Sequence, residues 1–405
     1  MMRKIWIGML MLTGIWSCQH SNNEPADKVL SRTGTDASCP YITRDAAGRP
    51  VISWVEKDTT ADTGVMVYAV SNNNGYTFSS PVEIPATRGV LPHAENLPKL
   101  LFRPGGIVIA LFGVEQHDPR NKYAGKVMYA QSFDTGRTWQ PAVPLVTDTA
   151  GYDQRYFDMA LLPDGKAAAI WLDNRKDTNA EGSTLYFAVA DGKSGFQDAR
   201  PIAETVCQCC RTRLFVGANG NIHIAYRDII NDSIRDMVHQ VSADGGKTFS
   251  APVRISADNW IVRGCPHTGP ALTENSHGLH FSWFTMGGGQ GVFYARSTDN
   301  GNTYTKREQI CKVPMAKHPQ LTACGKEDVA IVWDEPVKWK ADYKSRIGFL
   351  HKSPEGLTIN SHYLTADSIQ AVYPVIGAVR DNRVLVAYKR QQGNRGEVVY
   401  QEVKL

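Results

Sequence analysis

The segment Ser132-Phe133-Asp134-Thr135-Gly136-Arg137-Thr138-Trp139 decides the architecture, because three other stretches share its spacing. They are Ser71-Asn72-Asn73-Asn74-Gly75-Tyr76-Thr77-Phe78, Ser242-Ala243-Asp244-Gly245-Gly246-Lys247-Thr248-Phe249 and Ser297-Thr298-Asp299-Asn300-Gly301-Asn302-Thr303-Tyr304. In each, Ser and Asp oxygens can accept backbone N–H bonds inside a turn, Gly permits positive φ, and the terminal aromatic can pack beneath the strands. In the first copy, Asn74 is read as standing where the others carry Asp. An alternating strand precedes each copy, as at 65–70, 127–131 and 292–296, and another follows, ending near Ile84, Leu145, Ile255 or Ile310. The octapeptide is therefore a hairpin turn.

A second periodicity runs between these copies. Short turns at 45–48, 103–106, 163–165, 217–220, 274–278, 324–325 and 380–382 each join two apolar strands, giving units about 55 residues apart. Weaker copies of the octapeptide fit the gaps at 191–196 and 353–357. Seven units predict an all-β propeller of seven four-stranded antiparallel blades, with six as the alternative count if a strand is shared at the closure. The seventh unit ends at 398–403 without an outer strand, and 28–32 from the N-terminal side can supply it, leaving no long open sheet edge.

The octapeptide resembles the Asp-box, or bacterial neuraminidase repeat, and the chain is similar to the sialidase-like β-propellers. The resemblance implies glycan chemistry, an exo-α-sialidase at its most specific. Sialidases of this kind have six blades, so a seven-unit chain departs from them.

The ends and composition set the compartment. Arg3 and Lys4 precede an apolar run from 5 to 16, followed by Ser17-Cys18, a stretch too short for an ordinary membrane span. The segment 15–18 resembles a relaxed lipobox, which implies a lipoprotein signal peptide over 1–17, lipidation of Cys18, a tether over 18–27 and a single propeller domain over 28–405. The expected place is the bacterial cell envelope, the protein being exported and lipid-anchored, with the outer membrane as the expected membrane. With 44 Lys and Arg against 40 Asp and Glu, the formal charge of +4 gives no reason to expect nucleic acid as a partner. The expected partners are a glycan or another polar small molecule, and the membrane through the anchor. No phosphate-binding Gly loop, zinc-protease helix motif or nucleophile elbow occurs.

Blade topology puts the Asp-boxes and the short turns on one face, and the beginnings of the innermost strands and the ends of the second strands on the other. That second face gathers His93, Asp153, Arg155, Arg211, His267, His318 and Tyr373 from innermost strands, with Asp58, Glu115, Arg227 and Arg390 from second strands. Solvated or mutually paired rim charges are the ordinary reading for any one of them. A sialidase needs an arginine cluster for a carboxylate, a Tyr nucleophile with a Glu partner, and an acid. By resemblance Tyr373, Asp58 and Glu115 are the catalytic candidates. Arg155, Arg211, Arg227, Arg390, Asp153, His267, His93 and His318 are the substrate-binding ones. The first unit reads Cys39-Pro-Tyr-Ile-Thr-Arg44 where sialidases carry a Phe/Tyr-Arg-Ile-Pro motif, so their first arginine has no counterpart in register.

Cys207-Gln208-Cys209-Cys210-Arg211 and Gly264-Cys265-Pro266-His267 are the most distinctive local signals. Three readings of Cys207, Cys209, Cys210 and Cys265 stay open: disulfides that stiffen the mouth, a soft-metal site for Cu or Zn made of thiolates and imidazole, or a redox thiol. No cofactor is required under the glycan reading. Non-catalytic binding of a glycan or protein, and a metal or redox role, are the alternatives to hydrolysis. Cys311 and Cys324 are expected to bridge a loop, and Trp54, Trp171, Trp283 and Trp333 to fill the core between blades.

Overall fold

The computed structural model describes residues 27–57, 63–148, 150–325, 327–380 and 382–405. These form seven four-stranded antiparallel sheets arranged as blades over residues 36–84, 99–144, 154–206, 213–254, 271–311, 317–363 and 371–404. Among the described residues no helix is long and apolar enough to cross a membrane. The last blade takes its outer strand from Lys28–Val29, which pairs with Arg395–Lys404 in the register Lys28 to Tyr400 and Val29 to Val399. Beyond this strand Arg32 reaches Glu56 of the first blade at 2.5 Å, so one short segment ties the seventh blade to the first. The expected closure is observed. The signal, Cys18 and most of the tether lie outside the described residues.

The Asp-boxes are built as their residue types require. Gly136 N–H donates to Ser132 Oγ at 2.9 Å, Ser132 Oγ–H donates to Asp134 at 2.8 Å, and Asp134 accepts from Thr138 N–H at 2.8 Å and from its hydroxyl at 2.6 Å. The Thr138 and Ser132 bonds hold the Asp134 carboxyl down at about 2. In the first copy the corresponding acceptor is Asn73, which receives Thr77 N–H at 2.9 Å. Asn74 is not the substitute for Asp; it takes the positive-φ position, φ 58°, that Thr135 takes at 65°.

The box glycine also locks one blade to the next. Gly136 lies against Tyr68 of the preceding blade and Gly246 against Phe187, where an added Cβ would stand 2.8 and 2.5 Å from the neighbouring ring or its hydroxyl. Gly195, Gly301, Gly356 and Gly75 meet Tyr129, His239, Tyr294 and Leu385 in the same way. The aromatic ending the box extends the contact, as in Phe249 edge-on to Phe187 at 5.3 Å. Trp54, Trp171, Trp283 and Trp333 are buried between blades, as expected.

Cys311 and Cys324 are free thiols and do not bridge. Cys311 donates to Glu335 and Cys324 to the carbonyl of Asp328. Those two partners lie seven residues apart along the strand Asp328–Trp339, about 20 Å at the rise of an extended chain, far beyond disulfide reach.

Two alanines separate conformational strain from inter-blade contact. Gly245→Ala places a side chain at φ 72° with open space around it and should cost about 1 kcal/mol. Gly246→Ala adds the collision with Phe187 and should cost about 2 kcal/mol or more, read as a lower urea midpoint with unchanged slope.

Candidate functional site

Four innermost strands carry a bulge where they open onto the mouth. Pairing skips two residues between Ser38 and Tyr41, Arg155 and Asp158, Lys317 and Gln320, and Val372 and Val375. The first skipped residue has positive φ in every case: Cys39 at 58°, Tyr156 at 53°, His318 at 53° and Tyr373 at 54°. A bulge re-aims a side chain, and Pro follows three of these four, where no ladder N–H is required. This recurring step brings the axial residues to the mouth.

At the axis, Arg211 donates to Glu95 at 3.1 Å and to the Pro319 carbonyl at 3.4 Å. With its amide oxygen turned toward the guanidinium, Gln320 accepts from both terminal nitrogens at 3.1 and 3.2 Å. His318 Nδ1 lies 2.8 Å from Asp334, which also accepts Tyr373 N–H at 2.7 Å, and the His318 and Tyr373 rings are 4.2 Å apart. Burial would lower the His318 imidazole, but Asp334 and then Glu95 outweigh it and hold it above its ordinary value. Burial, with Glu95 and Asp334 beside it, pushes the Tyr373 phenol up to about 12. The free space between these groups is about 10 Å³, room for about one water.

The larger opening lies off the axis. A cleft of about 780 Å³ is lined by His93, Asn96, Glu115, Arg120, Asn121, Tyr123, Tyr152, Asp153, Arg155, Tyr156, Asn174, Gln208, Cys209, Cys265 and His267, among others. Its charges are largely paired. Arg155 grips Asp153 through two bonds of 2.7 and 2.5 Å, and Arg120 grips Asp118 at 2.8 and 2.7 Å while lying 4.0 Å over the Tyr152 ring. Asn174 fixes the Tyr152 and Asp153 backbone at 3.0 and 3.1 Å. Tyr123 is 67% exposed at the rim. Burial lowers the pKa of His93, against the opposing charge of Glu95.

The sequence-predicted residues are thus divided. His93, Asp153, Arg155, Glu115 and His267 share the cleft, whereas Arg211, His318 and Tyr373 share the axial cavity. His93 and His267 therefore face one space and His318 another. Glu115 is exposed and has His117 at 3.7 Å as its ionic neighbour. Arg227 is buried, donates to the carbonyls of Arg235 at 2.8 Å and Phe284 at 2.7 Å, and lies 4.9 Å over Trp260. Arg390 pairs with Glu397 at 2.8 Å and Asp27 at 3.2 Å beside a separate rim cavity of about 580 Å³. The four arginines face no common space. Asp58 lies outside the described residues.

A repeated ion lock was not expected from the sequence. The indole N–H groups of Trp54, Trp171 and Trp333 donate to Glu56, Asp173 and Glu335, two residues on, at 2.8, 3.2 and 2.8 Å, and each carboxylate also meets an arginine: Arg32, Arg175 or Arg346. In the fifth blade Asp258 takes this place for Trp283 and Arg307. The Trp-x-Glu/Asp spacing is the readable signal, since residues two apart share a face of a strand.

At one end of the cleft Cys207 Sγ lies 3.6 Å from both Cys209 Sγ and Cys210 Sγ, all three buried. Arg235 donates to Cys207 Sγ at 3.2 Å. Hydrogen bonds from its two neighbour thiols favour the Cys207 thiolate, while Cys209 and Cys210 are pushed upward, Cys210 mainly by burial. Cys265 is exposed and lines the cleft together with Cys209.

No protein-family model and no curated protein matches this chain in sequence. Its shape does match solved structures. A NanB sialidase from Streptococcus pneumoniae superposes with a TM-score of 0.53 at 10% identity, over 88% of this chain and 83% of that one. The likeness is one of fold, a β-propeller. A protein of unknown function from Dyadobacter fermentans matches at 0.52 and 16% identity, over 94% of this chain and 98% of its own. A Hadza microbial sialidase matches at 0.50 and 15%, over 84% and 73%.

The axial His318 gives a pH signature. Its raised pKa means that its charged form is favoured in the folded state. The contribution is complete below the unfolded value of 6.5 and is lost as pH rises through the folded one. Melting temperature should therefore fall on this account above pH 6.5, and Asp334→Asn should flatten that part of the profile.

Proposed function

We propose that this chain is an envelope lipoprotein whose off-axis cleft binds a neutral, hydroxyl-rich ligand, a glycan, without sialidase hydrolysis. One observation carries the reading: a cleft of about 780 Å³ with amides and aromatic rings on its wall, and with its two prominent arginines already neutralised by Asp153 and Asp118. A paired arginine stacked on Tyr152 makes a flat, partly apolar platform of the sort that sugar rings cover, and Tyr123 adds an exposed ring beside it. A ligand carboxylate would have to displace Asp153 or Asp118 to be gripped bidentately.

The arrangement favours binding over hydrolysis. The tyrosine candidate sits in a space for about one water, its phenol is pushed up to about 12, and Glu115 opens onto the other cavity. Residues 1–27, read as a lipoprotein signal and tether with Cys18 acylated, would hold the propeller at the membrane by lipid alone.

The test is calorimetric titration of the purified protein with a panel of neutral oligosaccharides and with sialyllactose, together with an assay for released sialic acid. Saturable binding of a neutral glycan, weakened about tenfold or more by Tyr152→Ala, and no sialic acid release are expected. Sialic acid release by the native protein that disappears in Tyr373→Phe would overturn the reading.

A further inference from the structure

The thiol cluster has no part in the glycan reading and is not ordinary core filling. Cys207, Cys209 and Cys210 come from one tight turn, in which Cys210 N–H donates to the Cys207 carbonyl at 3.3 Å and Cys207 N–H donates to the Arg227 carbonyl at 2.9 Å. Their three sulfur atoms all lie within 4.8 Å of one another, the one such group of potential ligands among the described residues. The 3.6 Å separations of Cys207 from its neighbours lie a few tenths of an ångström inside the about 4.0 Å sulfur–sulfur edge of three ligands set trigonally around a metal at about 2.3 Å. The fold supplies the charge that thiolates need: Arg235 reaches Cys207 Sγ at 3.2 Å, and Cys207 N–H bonds the carbonyl of the buried Arg227, whose guanidinium is anchored on backbone carbonyls.

From this geometry we propose that Cys207, Cys209 and Cys210 form a three-sulfur site for Cu(I). Soft thiolates suit a soft monovalent ion. Three thiolates around Cu(I) leave two net negative charges, which the guanidiniums of Arg235 and Arg227 oppose in a setting closed to bulk water. Binding replaces S–H bonds by Cu–S bonds and releases the thiol protons to solvent. Copper enters already as Cu(I), so no electron is transferred. Cys265 is exposed in the cleft wall and is not among the sulfurs that lie within 4.8 Å of one another, which places it at the entrance rather than in the ligand set. The site stands whether or not the cleft takes a glycan.

The test uses the full chain, reduced and kept anaerobic, titrated with Cu(I) against bathocuproine disulfonate as competitor. One equivalent should be retained, with a thiolate-to-copper ultraviolet band. Cys210→Ser should weaken retention at least tenfold, whereas Cys265→Ser and the remote Cys324→Ser should each keep the full equivalent. X-ray absorption of the native copper form, which needs no variant to fold, should show three sulfur neighbours. Equal copper retention by native protein and Cys210→Ser, a nitrogen- or oxygen-dominated shell, retention of zinc but not copper against matched competitors, or a disulfide within 207–210 in protein isolated without reductant would each overturn the proposal.

Discussion

The contact between an Asp-box glycine and the ring of the blade before it is the constraint on which the rest of the molecule depends. A propeller blade buries both its faces against neighbours, so the ring exists only if every wedge closes at the same angle. Gly136 on Tyr68 and Gly246 on Phe187 fix that angle at the box face, and the box bonds of Ser132, Asp134 and Thr138 hold the glycine in its positive-φ shape. The same step recurs with Tyr129, His239 and Tyr294. The seventh blade has Leu385 against Gly75 instead, and the pairing of Lys28–Val29 with Arg395–Lys404 completes the closure there.

With one face fixed, the opposite face is left to chemistry, and most of its charge is spent on structure. Glu56, Asp173 and Glu335 on second strands, and Asp258 in the connection after the fourth blade, each hold an indole N–H and an arginine; Asp173 and Glu335 do so within one blade, whereas Asp258 ties that connection to the fifth blade and Glu56 holds Arg32 at the ring closure. Asp158 is buried against Lys99 at 3.5 Å and Arg213 at 3.4 Å. A buried carboxylate must be compensated in this way, which removes it from the set of free acids. What remains open is the off-axis cleft and the thiol turn at its end.

Blade number, blade limits and ring closure were legible in the sequence because each rests on a local periodicity: alternation within strands, a turn signal between them, and an unpartnered final strand. The box register was misread by one residue at Asn74, where two neighbouring asparagines blur the alignment that Thr77 N–H settles in favour of Asn73. The site was harder to read. Whether His93 and His318 share a cavity depends on bulges that turn individual side chains, and on which pairs of blades bound each opening. The Arg211–Glu95 pair joins residues 116 positions apart. The Cys311–Cys324 bridge failed because neighbours in sequence order stand at opposite faces of the ring. Cys207, by contrast, was readable as part of the thiol turn, since four consecutive residues cannot separate far.

The central claim is that ligand enters the off-axis cleft and not the axial cavity. Crystallographic difference density after soaking with a bound neutral oligosaccharide tests it most directly. The account predicts a sugar ring over the Tyr152–Arg120 platform, with the Arg211–Glu95–His318 cluster undisturbed. A sugar seated at the axis, with Arg211 released from Glu95 and Tyr373 against the anomeric carbon, would contradict it.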